Sequence, residues 1–503
     1  MTLTVRSHRE SVGLTDGLLY IDGKWRASRD EETWSHYHPA TGEQIGEFAV
    51  AGGSDVDDAV QAARTAFDEG PWPGMRAGQR IQILHRSAEL LREHADQLRG
   101  LQAMDNGVPL SFAAVYATSV GAAADVFDHH AGWVDKLGGQ TLPAYQGGEH
   151  LAMTFREPVG VVAAILPWNA PFLLFAQKLA PALAAGCTVV VKPSEYATFS
   201  VLRMVELLVE AGVPGGAVNV VTGPGKPTGE ALITHPGVDK VSFTGSRAVG
   251  KRIVEASADT LKRVSLELGG KSPTIVFPDA PDVGMAGMTT MGTVTMGVSG
   301  QACVAHTRAL VHRDVYDQFL ASAQMMADAI TYGDPFDAAV LASPLINERQ
   351  LDRVLGYIET GQREGARLVT GGDRPDGDLS SGHFVRPTIF ADVDNGMSIA
   401  REEIFGPVLS VVPFTDEDEA IRLANDTEYG LGAGVYTSDA RRAFKVSRKL
   451  RAGTIGVNGF QVEPHVPFGG FKQSGIGREG GRSAFEAYTE LKTVLLPLTD
   501  EIM

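Results

Sequence analysis

Two side chains in this sequence stand where ordinary structural duty explains them poorly. Cys303 closes the segment Ser299-Gly300-Gln301-Ala302-Cys303. Glycine lets backbone approach a bound molecule closely, and a thiol beside it can serve as a nucleophile. Only the thiolate attacks, and at a thiol pKa of about 8.5 a few per cent is ionised near neutrality, so the surroundings must activate it. The competing assignment is a buried structural thiol, and that is the assignment given to Cys187, which precedes the apolar run Thr188–Val191. Glu267 lies in Leu266-Glu267-Leu268-Gly269-Gly270-Lys271-Ser272-Pro273, between two leucines at the end of an apolar run. Partial burial there would raise its carboxyl from about 4.3 toward neutrality, as a general base requires. The alternative is a carboxylate bonded to backbone N–H groups of the glycine turn, and spacing alone leaves both open.

Such groups need a scaffold, and the sequence from 159 to 268 supplies a regular one. Short β-rich runs at Val159–Leu166, Thr188–Lys192, Ala217–Thr222, Lys240–Phe243 and Arg263–Leu266 alternate with helical stretches at Leu173–Ala185, Phe199–Ala211, Thr228–Thr234 and Arg247–Ala258. This alternation indicates a parallel sheet with helices on its faces. Ligands of such sheets bind outside the carboxyl ends of the strands. That rule points to Pro167–Asn169, Lys192–Glu195, Gly223–Gly225 and Thr244–Ser246 as a nucleotide cleft. Ser246 opens a helix, and helix N-termini attract phosphate. Gly223-Pro224-Gly225-Lys226 is not a Walker loop: Val220 replaces the first glycine and Pro227 the Ser or Thr. Gly223, Gly225 and Gly229 are one residue too widely spaced for the dinucleotide fingerprint.

A second alternating series runs from Pro273 to about Asn458, with apolar runs at Thr274–Phe277, Ala309–His312 and Val408–Phe414 and helices at Asp314–Ile330 and Asp439–Leu450. Upstream, Arg80–Arg99 reads as one amphipathic helix, and Val56–Phe67 as another with Ser54 and Asp55 as N-cap candidates. Thr141–Arg156 reads as a hairpin turning at Gly147-Gly148, and Tyr488–Leu498 as a strand. Isolated hairpins are barely stable in water, so these pieces are expected to pair with another subunit, the alternative being their own chain.

Composition narrows the class of partner. The chain has 503 residues, enough for two or more cores, and a net charge of -17 from 44 basic and 61 acidic side chains. That acidity argues against nucleic acid or an anionic membrane as partner. No apolar run is long enough to span a bilayer, and Met1–Thr15 lacks the pattern of a signal peptide. Two cysteines cannot build a disulfide framework, so a reducing, cytoplasmic setting is expected. His129-His130 are adjacent and point about 100° apart on a helix, no other His/Cys cluster has ligand spacing, and no catalytic metal is expected.

Seven segments together resemble the aldehyde dehydrogenase superfamily, from about Leu19 to Leu498. They are Pro167-Trp168-Asn169, Lys192-Pro193-Ser194-Glu195, Phe243-Thr244-Gly245-Ser246, Leu266-Glu267-Leu268-Gly269-Gly270-Lys271, Gly300-Gln301-Ala302-Cys303, Glu402-Glu403-Ile404-Phe405-Gly406-Pro407 and Pro467-Phe468-Gly469-Gly470. Each is weak alone; in this order and at this spacing they are specific.

The resemblance implies an α/β fold with two parallel-sheet domains and a small β oligomerisation element. The dinucleotide-binding domain would comprise 1–140 and 159–268, the catalytic domain 269–480, and the oligomerisation element 141–158 and 486–503. It implies oxidation of a small-molecule aldehyde to its acid by a homodimer or homotetramer. Cys303 would attack the aldehyde, the Asn169 amide and the Cys303 backbone N–H would hold the oxyanion, and Glu267 would activate the water that hydrolyses the thioester. Lys178 and Glu479 match positions proposed to relay protons from the base; the plainer alternative is a structural ion pair. For the cofactor the resemblance implies contacts from Pro167, Trp168, Ser194, Gly225, Gly229, Phe243, Gly245, Ser246 and Leu268. Lys192 and Glu195 would hold the adenosine ribose, and Glu403 and Phe405 the nicotinamide ribose and ring. A carboxylate at Glu195 would repel a 2′-phosphate, which favours NAD, although Lys192 leaves NADP as the alternative.

The sequence departs from the family pattern at Val298, where Asn is usual. Ala170 and Gln177 replace bulkier apolar pocket residues and suggest a wider, more polar mouth. Phe172, Phe175, Phe460 and Phe468 are candidates to line the substrate tunnel, the commoner alternative for aromatics being plain core. An acylating relative commonly lacks the water-activating Glu, so Glu267 argues against that activity. Retention of Cys303, Glu267 and Asn169 together argues against a binding protein on a dehydrogenase scaffold, as in lens crystallins.

Overall fold

The computed structural model describes residues 5–113, 118–136, 138–143, 145 and 150–498. Its first sheet has eight strands and is built around five parallel ones. In spatial order these are Arg263–Glu267, Lys240–Thr244, Val161–Ile165, Thr188–Lys192 and Val218–Val220. From Val161–Ile165 the chain first steps outward through Thr188–Lys192 and Val218–Val220, then restarts on the opposite side at Lys240–Thr244. The strand order therefore reverses between Val161–Ile165 and Lys240–Thr244. A crevice opens at such a switch point because the two connections leave in opposite directions.

Val161–Ile165, Thr188–Lys192 and Lys240–Thr244 are buried at every position, as expected of strands covered by helices on both faces. One apolar cluster, which includes Phe127, Phe172, Phe175 and Leu183, packs on one face. Another, which includes Val56, Val60, Ile253 and Leu232, packs on the other. The second sheet has seven strands in the order Arg367–Thr370, Thr388–Ala391, Val408–Phe414, Arg308–His312, Pro273–Val276, Gly432–Tyr436 and Thr454–Val457. Only its Arg367–Thr370 edge is antiparallel. Both expected alternating series thus fold as parallel α/β sheets.

Local differences from the expectations have physical causes. The stretch Arg80–Arg99 is two helices, Ala77–Glu93 and Ala95–Asn106, broken at His94, whose Nδ1 bonds the Leu90 carbonyl at 3.0 Å. The helix Gly53–Asp68 starts at Gly52 rather than at Ser54 or Asp55. Asp55 contributes from inside the first turn, where its carboxylate accepts from the Gly52 N–H at 3.2 Å. Residues Gly475–Ile476, which lie in the stretch expected to form the second domain, add an antiparallel edge to the first sheet beside Leu266 and Glu267.

The hairpin and the late strand pair with each other. His150–Pro158 lies antiparallel to Thr489–Pro497 along its whole length, and Thr141–Leu142 pairs on its other side. The expected turn at Gly147-Gly148 lies outside the described residues. This three-stranded sheet leaves Leu491, Leu495 and Leu496 exposed. No helix among the described residues is long and apolar enough to cross a membrane.

Candidate active site

The crevice at the switch point is a cleft of about 500 Å³. Its walls include Pro167, Trp168 and Asn169 from the end of one strand and Thr244, Gly245 and Ser246 from the end of its neighbour. Glu267 enters at the end of a third strand, and Cys303, Glu403 and Phe405 arrive from the second sheet's side. The sulfur and the carboxylate that sequence spacing singled out therefore share one cavity, although they come from different sheets.

Cys303 is held by a tightly packed loop. Gly300 adopts φ +74°, and a Cβ there would fall 2.0 Å from the Gly406 carbonyl oxygen, so only glycine permits this approach. Gln301 latches the loop outward: its Nε2 donates to the Val298 and Pro344 carbonyls at 2.9 and 3.1 Å, and its Oε1 accepts from the Ile346 N–H at 2.9 Å. Val298, where Asn was expected, thus serves through its main chain. Asn169 reaches across and donates from Nδ2 to the Gln301 carbonyl at 2.8 Å. An amide carries two such hydrogens, so this bond aims the second one.

The electrostatics load the site with protons. Burial, then Glu403, then Glu267 push the Cys303 thiol up to about 12, while the N–H groups of Val304 and Cys303 pull the other way. Burial, aided by Glu479, raises the Glu267 carboxyl well above its ordinary value, against the opposing charges of Lys178 and Arg478. Glu267 Oε2 is buried and has no hydrogen-bond partner among the described residues. The alternative of a carboxylate tied up by the glycine turn therefore does not hold for that oxygen. Lys178 and Glu479 form a fully buried ion pair close enough to bear on Glu267. Cys187 has no exposed surface and donates from Sγ to the Tyr488 carbonyl at 3.3 Å, a structural thiol as expected.

Nucleotide-sized features surround this core. Glu403 accepts from the Gly270 N–H at 3.1 Å, and burial raises its carboxyl. The Phe405 ring meets Trp168 edge-on at 5.4 Å from a left-handed backbone, φ +62°, an unusual conformation for an aromatic residue. Gln350 pins it by donating to its carbonyl at 2.8 Å. Ser246 caps the eleven-residue helix Arg247–Ser257. Phe243 lies beneath Gly245, whose Cβ would fall 2.5 Å from the ring. Lys192 is buried, its Nζ donating to the Pro193 carbonyl at 2.9 Å, and its stem lies 3.5 Å from where a Gly229 Cβ would be. Ser194 bonds the half-buried Glu195 at 3.4 Å. Lys192, Ser194, Glu195, Gly225 and Gly229 are not among the residues that wall the cleft, and Leu268 faces a separate groove with Arg247 and Gly250.

The family described as "Aldehyde dehydrogenase family" matches residues 25–494. The chain belongs to the aldehyde dehydrogenase family. It is 45% identical to aldehyde dehydrogenase 1 of Tanacetum cinerariifolium over 482 residues, 95% of each chain. A solved NAD+ complex of aldehyde dehydrogenase from Bacillus cereus superposes with a TM-score of 0.94 at 39% identity, over 99% of this chain and 100% of that one. A P. syringae indole-3-acetaldehyde dehydrogenase mutant, solved with NAD+ and IAA, also gives a TM-score of 0.94 at 39% identity, over 99% and 100% of the two chains. The protein is thus an aldehyde dehydrogenase in fold and family.

Two of the tunnel candidates pack in the core instead. Phe172 and Phe175 have no exposed surface and pack in the core, where Phe175 meets Phe127 at 6.4 Å. Helical spacing of aromatics marked a core face rather than a tunnel. Gln177 is likewise buried, and neither it nor Ala170 is among the cleft-wall residues. Phe460 packs edge-on against the buried His306 at 5.0 Å, and Phe468 is buried. His130 bonds the Val126 carbonyl at 2.9 Å, and His129 accepts from Trp133 Nε1 at 3.1 Å. Among the described residues, no group of three or more His, Cys, Asp or Glu side chains is arranged to hold a metal. Sequence reasoning missed Arg349, Gln350 and Arg353, which wall the cleft from the helix Glu348–Arg363. Their only signal was one polar face on an amphipathic helix, which ordinarily means solvent.

Proposed function

We propose that the chain oxidises an aldehyde to a carboxylic acid with NAD, by way of a thioester on Cys303 that Glu267-activated water hydrolyses. The observation that carries the reading is the convergence of Cys303, Glu267 and Asn169 on one cleft at the carboxyl ends of the strands. Cys303 Sγ bonds to the aldehyde carbon, and its proton leaves to a base. Oxygen gains the charge, and the free hydrogen of the Asn169 amide together with the Cys303 N–H stabilises it, an effect worth about 2.7–4 kcal/mol per donor. Bound NAD supplies the hydride acceptor that makes the thioester. Glu267 then removes a proton from water, the C–O bond forms, the C–S bond breaks, and the sulfur recovers a proton. Base catalysis of this kind contributes roughly 10²–10⁴-fold. Lys178 and Glu479 accept and pass on the proton that Glu267 collects.

The residues fit the dinucleotide. Thr244 Oγ1 and Glu267 Oε2 are buried cleft atoms without partners among the described residues, and the helix opened by Ser246 offers N–H groups to a diphosphate. Glu403 and Phe405 would hold the nicotinamide ribose and ring, and Lys192 and Glu195 the adenosine ribose. Pro167, Trp168 and Gly245 would complete the cleft walls, and Ser194, Gly225, Gly229, Phe243 and Leu268, which lie outside them, would contact the rest of the dinucleotide. Glu195 favours NAD over NADP by charge. Residues 1–140 and 159–268 would serve as the dinucleotide-binding domain and 269–480 as the catalytic domain. The exposed leucines of Thr489–Pro497 support a homodimer or homotetramer joined through the three-stranded sheet.

Cys303→Ala tests the reading. NADH production from any aldehyde should vanish while NAD binding, followed by quenching of protein fluorescence, persists. Turnover by Cys303→Ala would overturn it. Parallel assays with NADP and with coenzyme A separate the cofactor alternative and acyl transfer.

A further inference from the structure

Lys178 has no exposed surface, and its ion pair with Glu479 uses only part of a three-donor ammonium. The remainder points to a second anchor. Lys178 Nζ donates to Ser242 Oγ at 3.4 Å, and the Tyr488 hydroxyl donates to the same oxygen at 3.1 Å. Ser242 is fully buried in the strand Lys240–Thr244. Tyr488 is fixed in turn: its carbonyl accepts from the Val159 N–H at 3.0 Å and from Cys187 Sγ at 3.3 Å. The Lys240 ammonium lies 4.9 Å from the centre of its ring and donates to Ser265 Oγ at 2.6 Å. Tyr488 immediately precedes the outlying strand Thr489–Pro497.

We propose that Ser242 and Tyr488 are positioning residues for the base: they hold the Lys178 ammonium against Glu479 and so fix the charge that Glu267 feels. The proposal rests on Glu267 being the base. Glu267 faces Glu479, Lys178 and Arg478. The like charge beside Lys178 is Lys240, which itself faces Cys187, Arg263 and Glu479. Without Ser242 Oγ, or with Tyr488 no longer fixing that oxygen, the Lys178 ammonium is free to swing away from Glu479. Lys178 then opposes the Glu479 charge less, and Glu267 stays protonated to higher pH. Less carboxylate is left to take a proton from water.

Tyr488→Phe removes one oxygen and keeps the ring. The acid limb of the kcat–pH profile should move upward by about half a unit, a roughly three-fold loss of kcat on that limb, with KM for NAD unchanged. Ser242→Ala should move it at least as far, and Ser242→Thr, which keeps the hydroxyl, should restore it. An unmoved limb in both Tyr488→Phe and Ser242→Ala overturns the positioning role, as does a loss of kcat equal at every pH. Glu267→Gln is measured alongside. If it keeps its turnover, the base assignment itself is wrong, a failure distinct from an unmoved limb in the other variants.

Discussion

Asn169→Ala separates the catalytic from the structural work of one side chain. The amide makes one bond to the Gln301 carbonyl at 2.8 Å and is proposed to spend its other hydrogen on the oxyanion. Losing the first costs about 1 kcal/mol of stability. In a chain this long that shifts the melting temperature by no more than about 2–4 °C. Losing the second costs about 2.7–4 kcal/mol of transition-state stabilisation, a fall of 10²–10³ in kcat. Activity should therefore collapse while the fold barely responds. Asn169→Asp keeps the shape but sets an acceptor against the Gln301 carbonyl and adds a carboxylate to Glu403 and Glu267 near Cys303, so it should be worse than alanine. Steady-state NADH production, thermal melting and NAD-induced fluorescence quenching measure the three consequences. A kcat within five-fold of wild type would refute the donor role. Loss of NAD binding in step with kcat would refute the division of labour.

The raised carboxyl and thiol give further tests. Above the ordinary value of 4.5, a Glu267 held protonated in the fold loses stability relative to the unfolded chain, which ionises freely. Glu267→Gln should therefore melt higher than wild type above that pH, with a gain that grows until the raised folded value is passed, and equally below it; a lower melting point at pH 8 would contradict the burial argument. Alkylation of Cys303 in the cofactor-free enzyme should be slow at pH 7 and still accelerating at pH 10, because its thiol is pushed up to about 12; a plateau near pH 8 would show that burial and the acidic neighbours do not raise it. A Cβ on Gly469 would fall 2.6 Å from Glu267 Oε1, at φ +152°. Gly469→Ala should lower kcat ten-fold or more and leave the NAD dissociation constant unchanged, as stopped-flow and titration would record.

The parallel sheets were legible because their signal is local: Thr188–Lys192 and Lys240–Phe243 are β-rich runs bounded by turn chemistry, the first folding as read and the second one residue longer, to Thr244. Of the four strand ends expected to form the cleft, Pro167–Asn169 and Thr244–Ser246 wall it, whereas Lys192–Glu195 and Gly223–Gly225 do not. Glu267 and Cys303 were visible as misplaced polar groups, but their meeting depends on Gly475–Ile476 and the Gly406 turn packing beside them, contacts that no short-range pattern encodes. Tunnel aromatics failed for the converse reason. Phe172 and Phe175 have the periodicity of any buried helix, and periodicity does not say which solvent-free neighbour the ring meets. The break at His94 depends on one side-chain bond to a carbonyl, which competes locally with the helix that Arg80–Arg99 otherwise favours.

The helix Pro171–Ala185 begins two residues after Asn169 and is buried at every one of its fifteen positions. Its side chains therefore answer to packing before they answer to any substrate. New aldehyde preferences are more cheaply acquired elsewhere, in more exposed stretches such as Gly459–His465, whose Gln461, Glu463 and His465 face solvent although Phe460 packs on His306. An engineer seeking altered specificity should randomise that stretch and leave the helix alone.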